Sequence, residues 1–120
     1  LLEIVAGIIE NGETAPAVVE RELLEEAGCA LLALEPICEY LVSPGGTSER
    51  ISLYCSRVDA TDAGGIHGLA AEGEDIRVMT VSFDEAMALL DGGRINSASP
   101  IIALQWLQRN RPRLRQAWAP

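Results

Sequence analysis

The chain has 120 residues, 48% of them hydrophobic, enough for one core and one domain but hardly two. Its net charge of −9 is unevenly spread: all eighteen Asp and Glu fall before position 92 beside four arginines, a charge of −14, whereas residues 92–120 hold five arginines and no acid, and lysine is absent throughout. A field of that sign excludes duplex nucleic acid unless metal ions invert it, no segment reaches the ~18 apolar residues of a membrane span, and no signal-peptide pattern opens the chain; a cytoplasmic location is expected.

In chain order, Leu1 to Val5 is an apolar, strand-like run leading to a turn at Gly7. It opens without methionine, so the chain reads as truncated at its start. Asn11-Gly12 marks a second turn, and Thr14 with Pro16 has the pattern of an N-cap and first turn, predicting a helix over about Ala15 to Ala27 closed by Gly28. Cys29 to Leu34 and Ile37 to Val42 are strand-like, separated at Pro36, and Ser43-Pro44-Gly45-Gly46 is a loop. Arg50 to Val58 alternates Ile51, Leu53 and Cys55 against Ser52, Tyr54 and Ser56, predicting a strand with one buried face. Asp59 to Gly73 is a glycine-rich connection of the length that is usually functional or mobile, followed by a strand over Ile76 to Val81. Ser82 caps a short helix through Leu90, stopped by Gly92-Gly93, and Ser99-Pro100 starts a last helix carrying Ile101, Ile102, Leu104, Trp106 and Leu107. Its arginines 109, 111, 113 and 115 lack interleaved aromatics and read as a solvated helix end. Three cysteines, Cys29, Cys38 and Cys55, fit neither paired metal spacing nor an even disulfide framework, and are expected to be reduced and buried.

The chemistry concentrates in residues 7 to 29, where Gly7, Glu13, Arg21, Glu22, Leu23, Glu25, Glu26 and Gly28 stand at the spacing Gx5Ex7REUxEExGU, U being bulky and apolar. At 100° per residue Glu22, Glu25 and Glu26 share one arc of the helix, beside an apolar arc of Val19, Leu23, Leu24 and Ala27. Carboxylates about 5 to 6 Å apart repel by roughly 3 kcal/mol per pair at an effective dielectric of 20. A hard divalent cation removes that penalty, and Mg2+ suits oxygen donors shared with substrate phosphates.

The segment resembles the catalytic helix of Nudix hydrolases, with Cys29 a small residue in the last apolar slot. The resemblance implies an α/β fold, the Nudix α/β/α sandwich with a mixed sheet, its N-terminal strands missing here. It implies that Glu22 and Glu26 bind metal, that Glu25 supports the cluster in catalysis, that the Ala6 carbonyl is a further ligand, and that Glu13 and Arg21 pair to orient loop and helix, with Gly7 and Gly28 structural. Pro44, fifteen residues after Cys29, and the stretches 1–7, 43–50, 65–78 and 101–108 resemble the bacterial ADP-ribose pyrophosphatases of that family. These imply hydrolysis of ADP-ribose to AMP and ribose 5-phosphate with two or three Mg2+ ions, for which Mn2+ substitutes.

By the same resemblance Glu72 is the general base and Glu74 a metal ligand, with Gly73 giving the loop freedom to bring Glu72 over the diphosphate. Ser43, Gly45, Gly46 and Glu49 are expected on the substrate, its ribose or a neighbouring subunit's ligand, and His67 is expected to be incidental. A homodimer is implied, together with a fold that is incomplete or domain-exchanged at its start and binds substrate poorly alone. Two other readings are a hydrolase of another nucleotide sugar such as GDP-mannose and a non-catalytic ADP-ribose-binding module; retention of every box glutamate speaks against the latter.

Overall fold

The computed structural model describes residues 1–61, the backbone of 65–67, and residues 76–119. Helix α1 spans Ala15–Glu22; Thr14 caps it by accepting from the Ala17 N–H, and Pro16 sits in the first turn, where an amide hydrogen is dispensable. The helix does not continue as α to Ala27. Leu23–Ala27 form a π turn, and Gly28 closes it in the left-handed region at φ 67°, its N–H reaching the carbonyls of Leu23 and Leu24. The widened turn buries Leu23 and Ala27 with Val18 on α1, and leaves Leu24 54% exposed, against its expected place on the packed face.

Strand β1 spans Ala30–Leu41 and pairs antiparallel with β2, Arg50–Asp59. Pro36 does not split β1 as expected. The register slips between Leu31 and Ala33 and again between Pro36 and Cys38, so Leu32 and Ile37 are surplus residues, and the second bulge sits beside the proline that cannot donate to the ladder. Only Leu53 of β2 is fully buried, and its other central residues are half-covered on both faces, so the expected one-sided alternation is blurred.

A short strand β3, Gly65–His67, lies inside the stretch expected to be an irregular connection; it pairs antiparallel with β4, Ile76–Val78, which ends three residues before the predicted Val81. Helix α2 spans Phe83–Asp91, capped by the Ser82 hydroxyl on the Glu85 N–H. Helix α3 spans Ala98–Ala117, starting one residue before the expected Ser99-Pro100, and contains Pro112. Residues 1–10 hold no regular secondary structure, so the strand expected at Leu1 to Val5 is not formed, and the segment pairs with none of the described strands.

The molecule is thus an α/β fold in which, among the described residues, every strand pairing is antiparallel. Leu23, Ala27 and Cys29 form the core with Val19, Leu31, Val58 and Val78, which seats the π turn on the β1–β2 ribbon and β4. Helix α3 packs on β2 and α2, burying Pro100 and Leu114. Arg113 ties it to β1 through an ion pair with Glu35 at 2.8 Å, and Arg111 lies 4.4 Å over the Phe83 ring. Those two arginines are therefore more engaged than a solvated helix end. The cysteines are free, with Cys29 buried and Cys55 half-buried, its thiol pushed up by burial and by Glu35; Cys38 is exposed beside the Pro36 bulge, contrary to expectation. No described helix is long and apolar enough to cross a membrane.

Candidate functional site

Four contacts order the acidic helix and the loop before it, and one of them, Arg21 on Glu13, crosses from helix to loop. Arg21 binds the carboxylate of Glu13 and, at 3.3 Å, that of Glu22. Glu13 reaches back with its other oxygen to the Glu10 N–H at 3.0 Å, while its own N–H donates to the Glu10 carbonyl, closing the turn at Asn11-Gly12. The expected Glu13–Arg21 pair is therefore formed, and it orients loop against helix. Arg21 is held above its ordinary value: loss of water works against its charge, but the hydrogen bonds and charges of Glu13, then Glu22, outweigh that loss.

Gly7 lies directly on Glu22. A Cβ added at Gly7 would stand 2.4 Å from the Glu22 Cγ and 2.6 Å from its Cδ and Oε1, so a larger residue here would have to displace the Glu22 side chain from its present place. One residue earlier, the Ala6 N–H donates to Glu26 Oε2 at 3.1 Å. Glu22 and Glu26, on either side of the π turn's start, thus meet adjacent residues of the same loop. Glu25 is on the π turn and half-buried.

Among the described residues, no three acidic, histidine or cysteine side chains converge closely enough to hold a metal by themselves. The protein contacts account for this: Glu22 is turned to Arg21 and Gly7, Glu26 to the Ala6 amide. The donor set nonetheless fits a hard divalent cation, because two carboxylates flank one stretch of backbone and every available donor is oxygen. Glu72 and Glu74 lie outside the described residues, as does the side chain of His67.

The substrate candidates sit at the opposite end of β1 from the π turn, in the loop joining it to β2. Ser43 organises that loop with its carbonyl, accepting from the N–H groups of Gly46 at 3.0 Å and Thr47 at 2.9 Å, and Val42 donates to the Glu49 carbonyl across its base. Ser43, Gly45, Gly46 and Glu49 are all exposed, and among the described residues none but the chain neighbours comes within 4 Å of the Cβ position of Gly45. The structure brings together Ala6, Gly7, Glu13, Arg21, Glu22 and Glu26, and leaves the hairpin-loop residues as a separate, open group. Two contacts went unforeseen: Ser97 donating its hydroxyl to Glu3, and Tyr40 bonded to Ser99 at 2.7 Å. They join residues 94 and 59 positions apart, beyond the reach of any local spacing pattern.

No family model matches the chain. ADP-ribose pyrophosphatase of Escherichia coli K12 is 51% identical over 119 residues, covering 99% of this chain and 57% of that protein. ADP-ribose pyrophosphatase of Haemophilus influenzae is 44% identical over 98% of this chain and 54% of its own length. GDP-mannose pyrophosphatase of an Enterobacter strain is 34% identical over 90% of this chain and 56% of its own. The chain spans a little over half the length of these curated relatives.

Proposed function

From this chain's homology, over nearly its whole length, to part of the bacterial ADP-ribose pyrophosphatases, we propose that its protein is a Nudix hydrolase cleaving the diphosphate of ADP-ribose to AMP and ribose 5-phosphate with Mg2+. The observation that carries the reading is 51% identity across 99% of the chain, against 34% for the GDP-mannose enzyme. The finer fold assignment, the Nudix α/β/α sandwich, is supported by the packing of the π turn and of α3 on the β1–β2 ribbon.

In this reading Glu22 and Glu26, with the Ala6 carbonyl and Glu74, hold the metal ions. Bound there, Mg2+ supplies charge to the diphosphate oxygens and acidifies a water. The chain's own residues do the rest. Arg21 and Glu13 fix the loop on the helix, so that Ala6 and Gly7 stay against the two carboxylates. Glu25 adds negative charge to the cluster, Glu72 takes the proton from water, and Ser43, Gly45, Gly46 and Glu49 meet the ribose side. Homodimer formation and a cytoplasmic location belong to the same proposal and rest on the family resemblance.

Assays with Mg2+ and either ADP-ribose or GDP-mannose test the substrate. Faster turnover of ADP-ribose is expected, and the reverse ratio would assign the other sugar nucleotide. Replacing Glu26→Gln should lower ADP-ribose turnover by about a hundredfold or more, the scale of losing one group that organises transition-state charge. Unchanged turnover would remove Glu26 from the site.

A further inference from the structure

The two unforeseen hydrogen bonds meet at one place, the first turn of α3. Ser97 is its N-cap but makes no capping bond with its side chain; the hydroxyl donates to Glu3 Oε1 instead. Local chemistry contributes to the release, because only the Ser99 amide remains for a cap. An N-cap hydroxyl serves the amide of the second or third helical residue, and the third here is Pro100, which has none. Two residues after Ser97, the Ser99 Oγ is bonded to the Tyr40 hydroxyl at 2.7 Å.

Each partner stands three residues from a group of the proposed site. Glu3 precedes Ala6, whose amide holds Glu26, with Gly7 next against Glu22. Tyr40 precedes Ser43, the first residue of the hairpin-loop group. The segment 1–10 has no strand ladder to fix it, so the position of Ala6 depends on side-chain and amide bonds such as these. The turn they meet is firmly seated, because Pro100 is fully buried within it and Leu114 is buried further along the same helix.

We propose that the first turn of α3 is a positioning element for both ends of the substrate site. Ser97, through Glu3, sets the Ala6–Gly7 backbone against the metal-binding carboxylates; Ser99, through Tyr40, sets the hairpin loop for the ribose side. This rests on the reading of Ala6, Glu22 and Glu26 as a metal centre, and assigns positioning roles to Glu3, Tyr40, Ser97 and Ser99.

The test separates the two arms by calorimetric titration of the metal-free protein with Mg2+ and by ADP-ribose kinetics at saturating Mg2+. Ser97→Ala and Glu3→Ala should each weaken Mg2+ binding about three- to tenfold, the span of one lost hydrogen bond, and the double variant should be no worse than either single one. Ser97→Thr, which keeps the hydroxyl, should restore binding. Tyr40→Phe and Ser99→Ala should raise KM for ADP-ribose by a similar factor with Mg2+ affinity at the parent value. An unchanged Mg2+ isotherm for Ser97→Ala would overturn the proposal, as would Tyr40→Phe weakening Mg2+ binding as much as Ser97→Ala does, the mark of general loosening. A parent protein that takes up no Mg2+ would overturn the metal-site reading itself, and the positioning role with it.

Discussion

At the scale of single residues, Gly7 shows how a site is specified by what is missing. Its backbone is not in the left-handed region, which among the described glycines is occupied by Gly12, Gly28 and Gly93; the requirement is room for Glu22, whose Cγ lies 2.4 Å from where a methyl would be. The obstructed group is a flexible side chain, so Gly7→Ala moves the carboxylate rather than the fold. Urea unfolding of the metal-free variant should change by less than about 1 kcal/mol, while the displacement, if it costs the ~1–3 kcal/mol of an overpacked contact, weakens Mg2+ affinity about ten- to a hundredfold. Equal loss of stability and affinity would mean that Gly7 serves folding alone. Glu13 and Arg21 act with it, because their pair holds the far end of the same loop.

At the scale of elements, the helix caps were legible because they are local: Thr14, Pro16, Gly28 and Ser82 do what their residue types do at those positions. The π turn was not legible, since Leu23–Ala27 is as good an α-helix by composition and only packing on Leu31, Val58 and Val78 widens it. Pro36 is tolerated within β1 for a related reason: a proline breaks a ladder only where an amide is needed, and the register shift beside it lies where that need lapses. Of the site, the Glu13–Arg21 pair followed the motif, whereas the Ala6 N–H on Glu26, the Gly7 approach to Glu22, Glu3–Ser97 and Tyr40–Ser99 depend on the tertiary path of the chain. Helix α3 is held by depth more than by charge. Leu114, 4% exposed, should cost about 2–5 kcal/mol when cut to alanine, and Leu24, 54% exposed, less than about 0.5 kcal/mol, both read from chemical denaturation. Similar values for the two would contradict the placement of α3 on the ribbon.

At the scale of the whole molecule, the −14 of residues 1–91 makes a divalent cation a stabilising ligand as well as a cofactor in the proposed reading. Mg2+ at about a hundred times its Kd should add about 2.7 kcal/mol to folding, visible as a rise in Tm, and NaCl of matched ionic strength should not reproduce it. The rise should vanish in the double variant Glu22→Gln, Glu26→Gln; its persistence would place the ion elsewhere. The π turn has a last consequence for that ion. Five residues, Leu23–Ala27, take the place of an ordinary turn of about 3.6, so one more amino acid is threaded through the acidic segment than a straight helix would carry. Transplanting the same letters onto an ideal α-helical scaffold would rotate Glu26 about the axis relative to Glu22 and take its carboxylate from the Ala6 amide. The motif is portable as text; the placing of its carboxylates against Ala6 and Gly7 is not, and the half-bare Leu24 is the visible sign of the difference.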